Sequence, residues 1–177
     1  MGRTHIPRQT AALCTALILV LALAALAAGP VVAAERTANE VSLFQLINHA
    51  RTHRGLAPLR VHAALRSAAL AHSRDMMDRD YFSHSSPSGA SCGARALRAG
   101  YSTSGCRSWA VAEVIGWGTS TAGAPLAVFK SWMRSAGHRA IILGRRWRDV
   151  GIGCASGTFD GASGSWVYTV DVGRRSH

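Results

Sequence analysis

Lysine is almost missing from this chain. Of its 20 Lys and Arg residues only Lys130 is a lysine, and just 9 Asp and Glu stand against them. The arginines are scattered, and no Lys/Arg block of the kind that grips nucleic acid is present, so no nucleic-acid partner is expected. The spread charge of +11 suits anionic wall polymers, lipid headgroups or acidic glycans, and it also serves plain solubility. There is no H-E-x-x-H, which removes the commonest short zinc-protease signature. The 4 cysteines contain no pair at the two-to-four-residue spacing of zinc sites, which argues against a cysteine-built metal centre. No internal repeat is visible.

The opening residues differ in kind from the rest. Arg3, His5 and Arg8 make a basic start, and residues 11–28 are an almost unbroken apolar run. This is the pattern of a secretory signal peptide over residues 1–34. Val32 and Ala34 meet the small-residue rule for cleavage just before Glu35. An uncleaved anchor is the alternative, because the run approaches the roughly 20 residues that span a bilayer. Either way the remaining domain, residues 35–177, is expected outside the cytosol. Cys14 would leave with the leader.

What remains, about 143 residues, is the size of one domain with a real core. Removing Arg3 and Arg8 from the 20 basic residues leaves 18 against 9 acidic ones. Of the three remaining cysteines, Cys92 and Cys106 flank a Gly/Ser-rich stretch. A disulfide between them would close a loop of roughly 15 residues and contribute about 3 kcal/mol. Cys154 would then be a buried thiol, although a Cys106–Cys154 pairing remains open on sequence alone.

Thr37 and Glu40 spell a capping box, and Val41, Phe44, Ile47 and Ala50 mark one face of a first helix that should stop at Gly55. A second helix is predicted over residues 62–78, with Leu65, Ala69, His72 and Met76 on one stripe. His72, alone among apolar neighbours, reads as a packing residue at the core edge or surface. Residues 83–107 read as loop with a short helix near residues 94–99, long enough to hint at function. Residues 109–117 alternate as a strand, which puts Glu113 on the face with Trp109, Val111, Ile115 and Trp117. Trp109, Trp117 and Trp132 are expected in the core. Pro125 begins a third helix that Gly137 should end, with His138 just beyond. Strands near residues 150–155 and 166–172 follow, joined through the turn-prone Asp160-Gly161.

A carboxylate on an apolar strand face is costly to bury unless something pairs with it. His84 and His138, both in turn-prone segments, are the candidate partners for Glu113. Two imidazoles and a carboxylate can hold Zn2+ or another divalent cation with a fourth position open. Without metal the same set is a histidine base oriented by a carboxylate, or simply a polar brace that holds loops to a sheet. Ser135, three residues before His138, has no supporting acid and no G-x-S-x-G around it.

Tyr81-Phe82-Ser83-His84, Ala112-Glu113-Val114-Ile115 and the run 132–143 beginning Trp132-Met133-Arg134-Ser135 resemble the successive signatures of the CAP superfamily, the cysteine-rich secretory, antigen 5 and pathogenesis-related 1 proteins. Val150-Gly151-Ile152-Gly153 and the run 168–173 continue the match, over roughly residues 41–173, with the flavour of the bacterial secreted branch. The resemblance implies an α+β fold, a three-layer α-β-α sandwich with a central antiparallel sheet. It also implies a cleft where two histidines and two acidic residues meet, associated in the family with divalent metal. His84, Glu113 and His138 fall on three of those four positions. Ser135 stands where the second acid is expected, and Val114 where Asn commonly follows the first Glu. Several family members bind sterols, fatty acids or other lipids, and family membership by itself establishes no enzymatic activity. The function expected is a secreted or wall-associated binding module for a lipid, a cell-wall polymer or an extracellular protein. The alternatives are a metal-dependent hydrolase and a structural envelope protein.

Overall fold

The structure is a computed structural model that describes Met1, Gly2 and residues 37–176. The expected leader and its cleavage point lie outside the described residues. Helix α1 (Ala38–Thr52) starts at the capping box: Thr37 Oγ1 accepts from Glu40 N and Glu40 Oε2 accepts from Thr37 N, each at 3.2 Å. The chain then turns through Gly55, whose φ of +67° suits a residue without Cβ. Strand β1 is only Arg60–Val61. Helix α2 (Ala63–Arg79) follows, and α3 (Cys92–Arg98) is the short helix of the long loop. Strand β2 (Ser108–Thr119) leads through a 3-10 turn to α4 (Pro125–Arg134) and α5 (Ala136–Ile142). The chain ends in the hairpin β3 (Asp149–Phe159) and β4 (Ala162–Ser176).

The four strands lie in the order β1-β3-β4-β2. All neighbours are antiparallel except the two-residue β1, which runs parallel to β3. Strand alternation builds the layers. Val114, Val150, Ile152, Val170 and Val172 pack on one face with Leu43 and Ile47 of α1, Val128 and Trp132 of α4 and Ile142 of α5. The residues between them face the other way: Ile115 and Val167 meet Met76 and Met77 of α2, while Val111 packs with Leu65 and Ala96. The sheet is therefore buried on both sides, the expected α-β-α sandwich.

Several expectations shift in detail. The strands of the hairpin are longer than residues 150–155 and 166–172, because they pair down to a two-residue turn. Asp160 and Gly161 both adopt positive φ there, 49° and 71°, the conformation that matches strand twist. The helix from Pro125 does not run to Gly137. Ser135 is extended (ψ 124°) and breaks it, so that Gly137 and His138 sit in the first turn of α5. Trp132 is core, 3% exposed, and its indole donates to Ile115 O at 2.8 Å. Trp109 and Trp117 are instead 38% and 37% exposed, because β2 is an edge strand whose ends outrun the covering helices. His72 is fully buried on α2 rather than at a core edge.

Helix α2 lies directly on β3, and glycine makes that approach possible. A Cβ on Gly151 would strike the Leu65 carbonyl carbon, and one on Gly153 would strike the backbone of Leu70. Gly153→Ala should therefore destabilise the protein by at least about 2 kcal/mol, since backbone cannot give way as a side chain does. Urea unfolding checks this, and a midpoint equal to that of the unsubstituted protein contradicts it.

Candidate functional site

Glu113 lies mid-way along the edge strand β2, 5% exposed, and three elements bring donors to it. His84, in the loop after α2, puts Nδ1 2.8 Å from Glu113 Oε1. Arg95 of α3 donates through Nη2 to Glu113 Oε2. His72 of α2 holds Nε2 3.9 Å from the same oxygen. Burying the carboxylate is offset chiefly by the Arg95 pair, because a desolvated charge needs an opposite charge with hydrogen bonds to match.

Arg95 also shapes the loop. Its Nη1 donates to Ala90 O at 2.7 Å and Ser86 Oγ at 3.3 Å, and its Nη2 donates to His84 O at 3.1 Å. One guanidinium thus pins the segment that carries His84 and the acid that His84 contacts. His72 closes the inner side by donating from Nε2 to Ser83 O at 2.9 Å. This requires a proton on Nε2, and burial, partly opposed by Glu113, lowers the His72 pKa.

The resulting exposures differ usefully. The His84 side chain is 57% exposed while its Nδ1 is held by Glu113, so Nε2 is the nitrogen left for a ligand. His138, half-buried in α5, has its pKa lowered by burial and then by His84. Beside His138 a groove of about 420 Å³ is lined by Phe82, Trp117, Ser131, Trp132 and Arg134. Among the described residues no three His, Cys, Asp or Glu side chains are gathered as a ready-made metal cage. Both oxygens of Glu113 are engaged by protein donors. The imidazoles that could hold a cation here are those of His84 and His138, and Glu113 fixes the His84 ring from behind.

Ser135, at the expected place of the second acid, links α4 to α5: its carbonyl accepts from Arg139 N at 2.9 Å. A second acid does stand next to Glu113, but it comes from β4. Asp171 is directly opposite Glu113 in the β2–β4 register, fully buried, with neither carboxylate oxygen met by a donor. Burial, then the Glu113 charge, raises its pKa well above the usual range. Protonated, Asp171 becomes a donor facing Glu113. Cys92 is a free thiol at the start of α3, so the expected Cys92–Cys106 bridge is not formed. Its pKa is pushed up to about 11 by burial first, then by Asp171 and Glu113, because α3 turns this cysteine toward the acid pair. Cys154 is a buried thiol as expected.

Arg95, Asp171 and the buried role of His72 were missed in the sequence. Asp171 left a signal: a lone acid in the apolar run of a strand that both neighbours cover. Arg95 left none, being one of many arginines.

The folded protein holds a proton on Asp171 that the unfolded chain releases near pH 3.9. The stability from this group is complete below that pH and is lost as pH rises toward the raised folded value. Asp171→Asn should therefore stabilise the protein by about 1–3 kcal/mol at pH 7 and by almost nothing at pH 3. Urea unfolding at both pH values decides, and a loss of stability at pH 7 contradicts the assignment.

Comparison with known proteins identifies the family and the fold. The family model described as the cysteine-rich secretory protein family matches residues 44–172. The Bacillus subtilis protein YkwD is 35% identical over 119 residues, 66% of this chain but only 42% of its own length. The chain thus spans under half of that curated relative. The crystal structure of an extracellular protein containing a SCP domain from Bacillus anthracis superposes with a TM-score of 0.61 at 28% identity, covering 77% of this chain and 40% of that one. An outer surface protein of Borrelia burgdorferi shares the fold, with a TM-score of 0.64 at 15% identity, covering 80% and 96%. With the signature segments in order and the sandwich they imply in place, the chain belongs to the cysteine-rich secretory protein (CAP) family.

Proposed function

We propose that this protein is an exported binding module that holds a divalent cation, with zinc as the natural candidate, between His84 and His138. Bound there, the cation would organise the adjoining groove for a ligand. The observation that carries the reading is the 2.8 Å contact between Glu113 Oε1 and His84 Nδ1. It orients the ring and leaves Nε2 outward, the support that metal-ligating histidines ordinarily have. The groove beside His138 is mostly aromatic and aliphatic with Ser131 and Arg134 among its walls. That chemistry suits an amphipathic ligand with an anionic end, such as a lipid, or a segment of wall polymer or extracellular protein. Export rests on the leader-like residues 1–34, and among the described residues no helix is long and apolar enough to cross a membrane.

The hydrolase reading lacks an observation of its own. Gly89-Ala90-Ser91-Cys92-Gly93 does spell G-x-S-x-G, but the strand that a nucleophile elbow needs is missing. Ser91 follows a loop, and its Oγ accepts from Ala94 N as the cap of α3. Cys92, its thiol pKa raised, is a poor nucleophile at neutral pH.

Calorimetric titration with zinc tests the proposal. His84→Ala and His138→Ala should each weaken binding at least about tenfold, and Glu113→Gln by about 10–100-fold through loss of orientation. Zinc affinity unchanged in the His84→Ala/His138→Ala double variant would sink the cation site.

A further inference from the structure

Charge is divided between the two ends of the sandwich. Where α1 ends and β3 begins, strand β1 and two loops carry Arg54, Arg60, Arg145, Arg146 and Arg148, all exposed. They are contiguous: Arg60 N donates to Arg148 O at 2.8 Å, and Arg51 donates to Ile142 O and Gly144 O, tying the end of α1 to the 143–148 turn. Strand β3 then runs 11 residues, about 35 Å, to the opposite end, where Asp78, Asp80 and Asp160 gather and Asp160 N donates to Asp80 Oδ1. None of the five arginines forms a salt bridge among the described residues. Asp149, the nearest acid in sequence, is occupied by Tyr101 and Arg175.

Beneath this surface lies Arg51, fully buried, held only by carbonyls, with Nη2 unpartnered. No carboxylate answers it, and burial followed by the neighbouring Arg148 lowers its pKa. A buried uncompensated cation under five exposed ones makes a concentrated positive field.

From these residues we infer that the basic end is a second binding surface, separate from the histidine cleft, for a linear polymer of phosphodiester groups. Guanidinium forks match phosphate bidentately; Arg145 and Arg146 present them on one turn, which Arg148 Nη1 braces by donating to Arg145 O and Trp147 O, each at 2.8 Å. A bilayer fits less well: among the described residues Val61 is the one large apolar side chain exposed at this end, so little could insert. A nucleic acid would want stacking rings, and Trp147, 3% exposed, lies under the Arg146 guanidinium.

The test measures binding of a fluorescent poly(glycerol phosphate) oligomer to the full protein by anisotropy, across a salt series. Arg60→Gln/Arg145→Gln/Arg146→Gln should weaken binding at least tenfold at low salt and make the log–log salt slope shallower by about two. The charge-matched control Arg74→Gln/Arg98→Gln/Arg107→Gln should lose less than threefold, and His84→Ala should lose nothing, which separates this surface from the cleft. Equal losses in the two triple variants would mean diffuse attraction by net charge and overturn the inference. So would the lack of any binding by the unsubstituted protein, or tighter binding to phosphatidylglycerol/phosphatidylcholine vesicles than to the oligomer.

Discussion

The candidate site depends on one buried carboxylate. Glu113 sits in a strand whose neighbours are apolar, and its charge is tolerable there only because Arg95 and His84 reach it from the loop between α2 and β2. That requirement works in both directions. The acid needs donors, and the loop, which has little regular structure of its own, needs an anchor. Arg95 satisfies both by bonding the loop's carbonyls and the acid at once. The position of His84 is therefore set by an ion pair buried behind it rather than by the loop's own packing.

The sandwich supplies the frame for that arrangement. Strand β2 is an edge strand, so its open side lies between the layer of α2 and α3, to which His84 belongs, and the layer of α1, α4 and α5, to which His138 belongs. The same position leaves Trp109 and Trp117 partly exposed and gives the groove beside His138 its aromatic wall. Deeper in the sheet, Asp171 on β4 faces Glu113 with no donor of its own. Its raised pKa and that of Cys92 follow from the same desolvated, acid-rich interior.

Much of the fold was legible because its signals are local. The capping box at Thr37 and Glu40, the alternation around Glu113 and the Asp160-Gly161 turn act within a few residues, and each stands where it was read. The Glu113–His84 contact was also legible, since a carboxylate on an apolar face demands a partner, but His138, the second partner expected, makes no hydrogen bond or ion pair with Glu113 among the described residues, and Arg95 takes that place. The break at Ser135 was not, because nothing in its neighbours forbids helix and tertiary packing sets the bend. Arg95 was hidden among arginines of identical chemistry, and only its depth in the fold distinguishes it. The cysteines misled for a related reason: spacing permits a Cys92–Cys106 loop, but α3 directs Cys92 toward the acid pair.

Glu113 holds His84 through Nδ1 and so presents Nε2. Nitrogen-15 NMR of the imidazole rings reads this directly. Neutral His84 should carry its proton on Nδ1, and Glu113→Gln should shift it toward the Nε2-protonated form favoured by free imidazole side chains. A His84 ring already protonated at Nε2 and indifferent to the substitution would contradict the account.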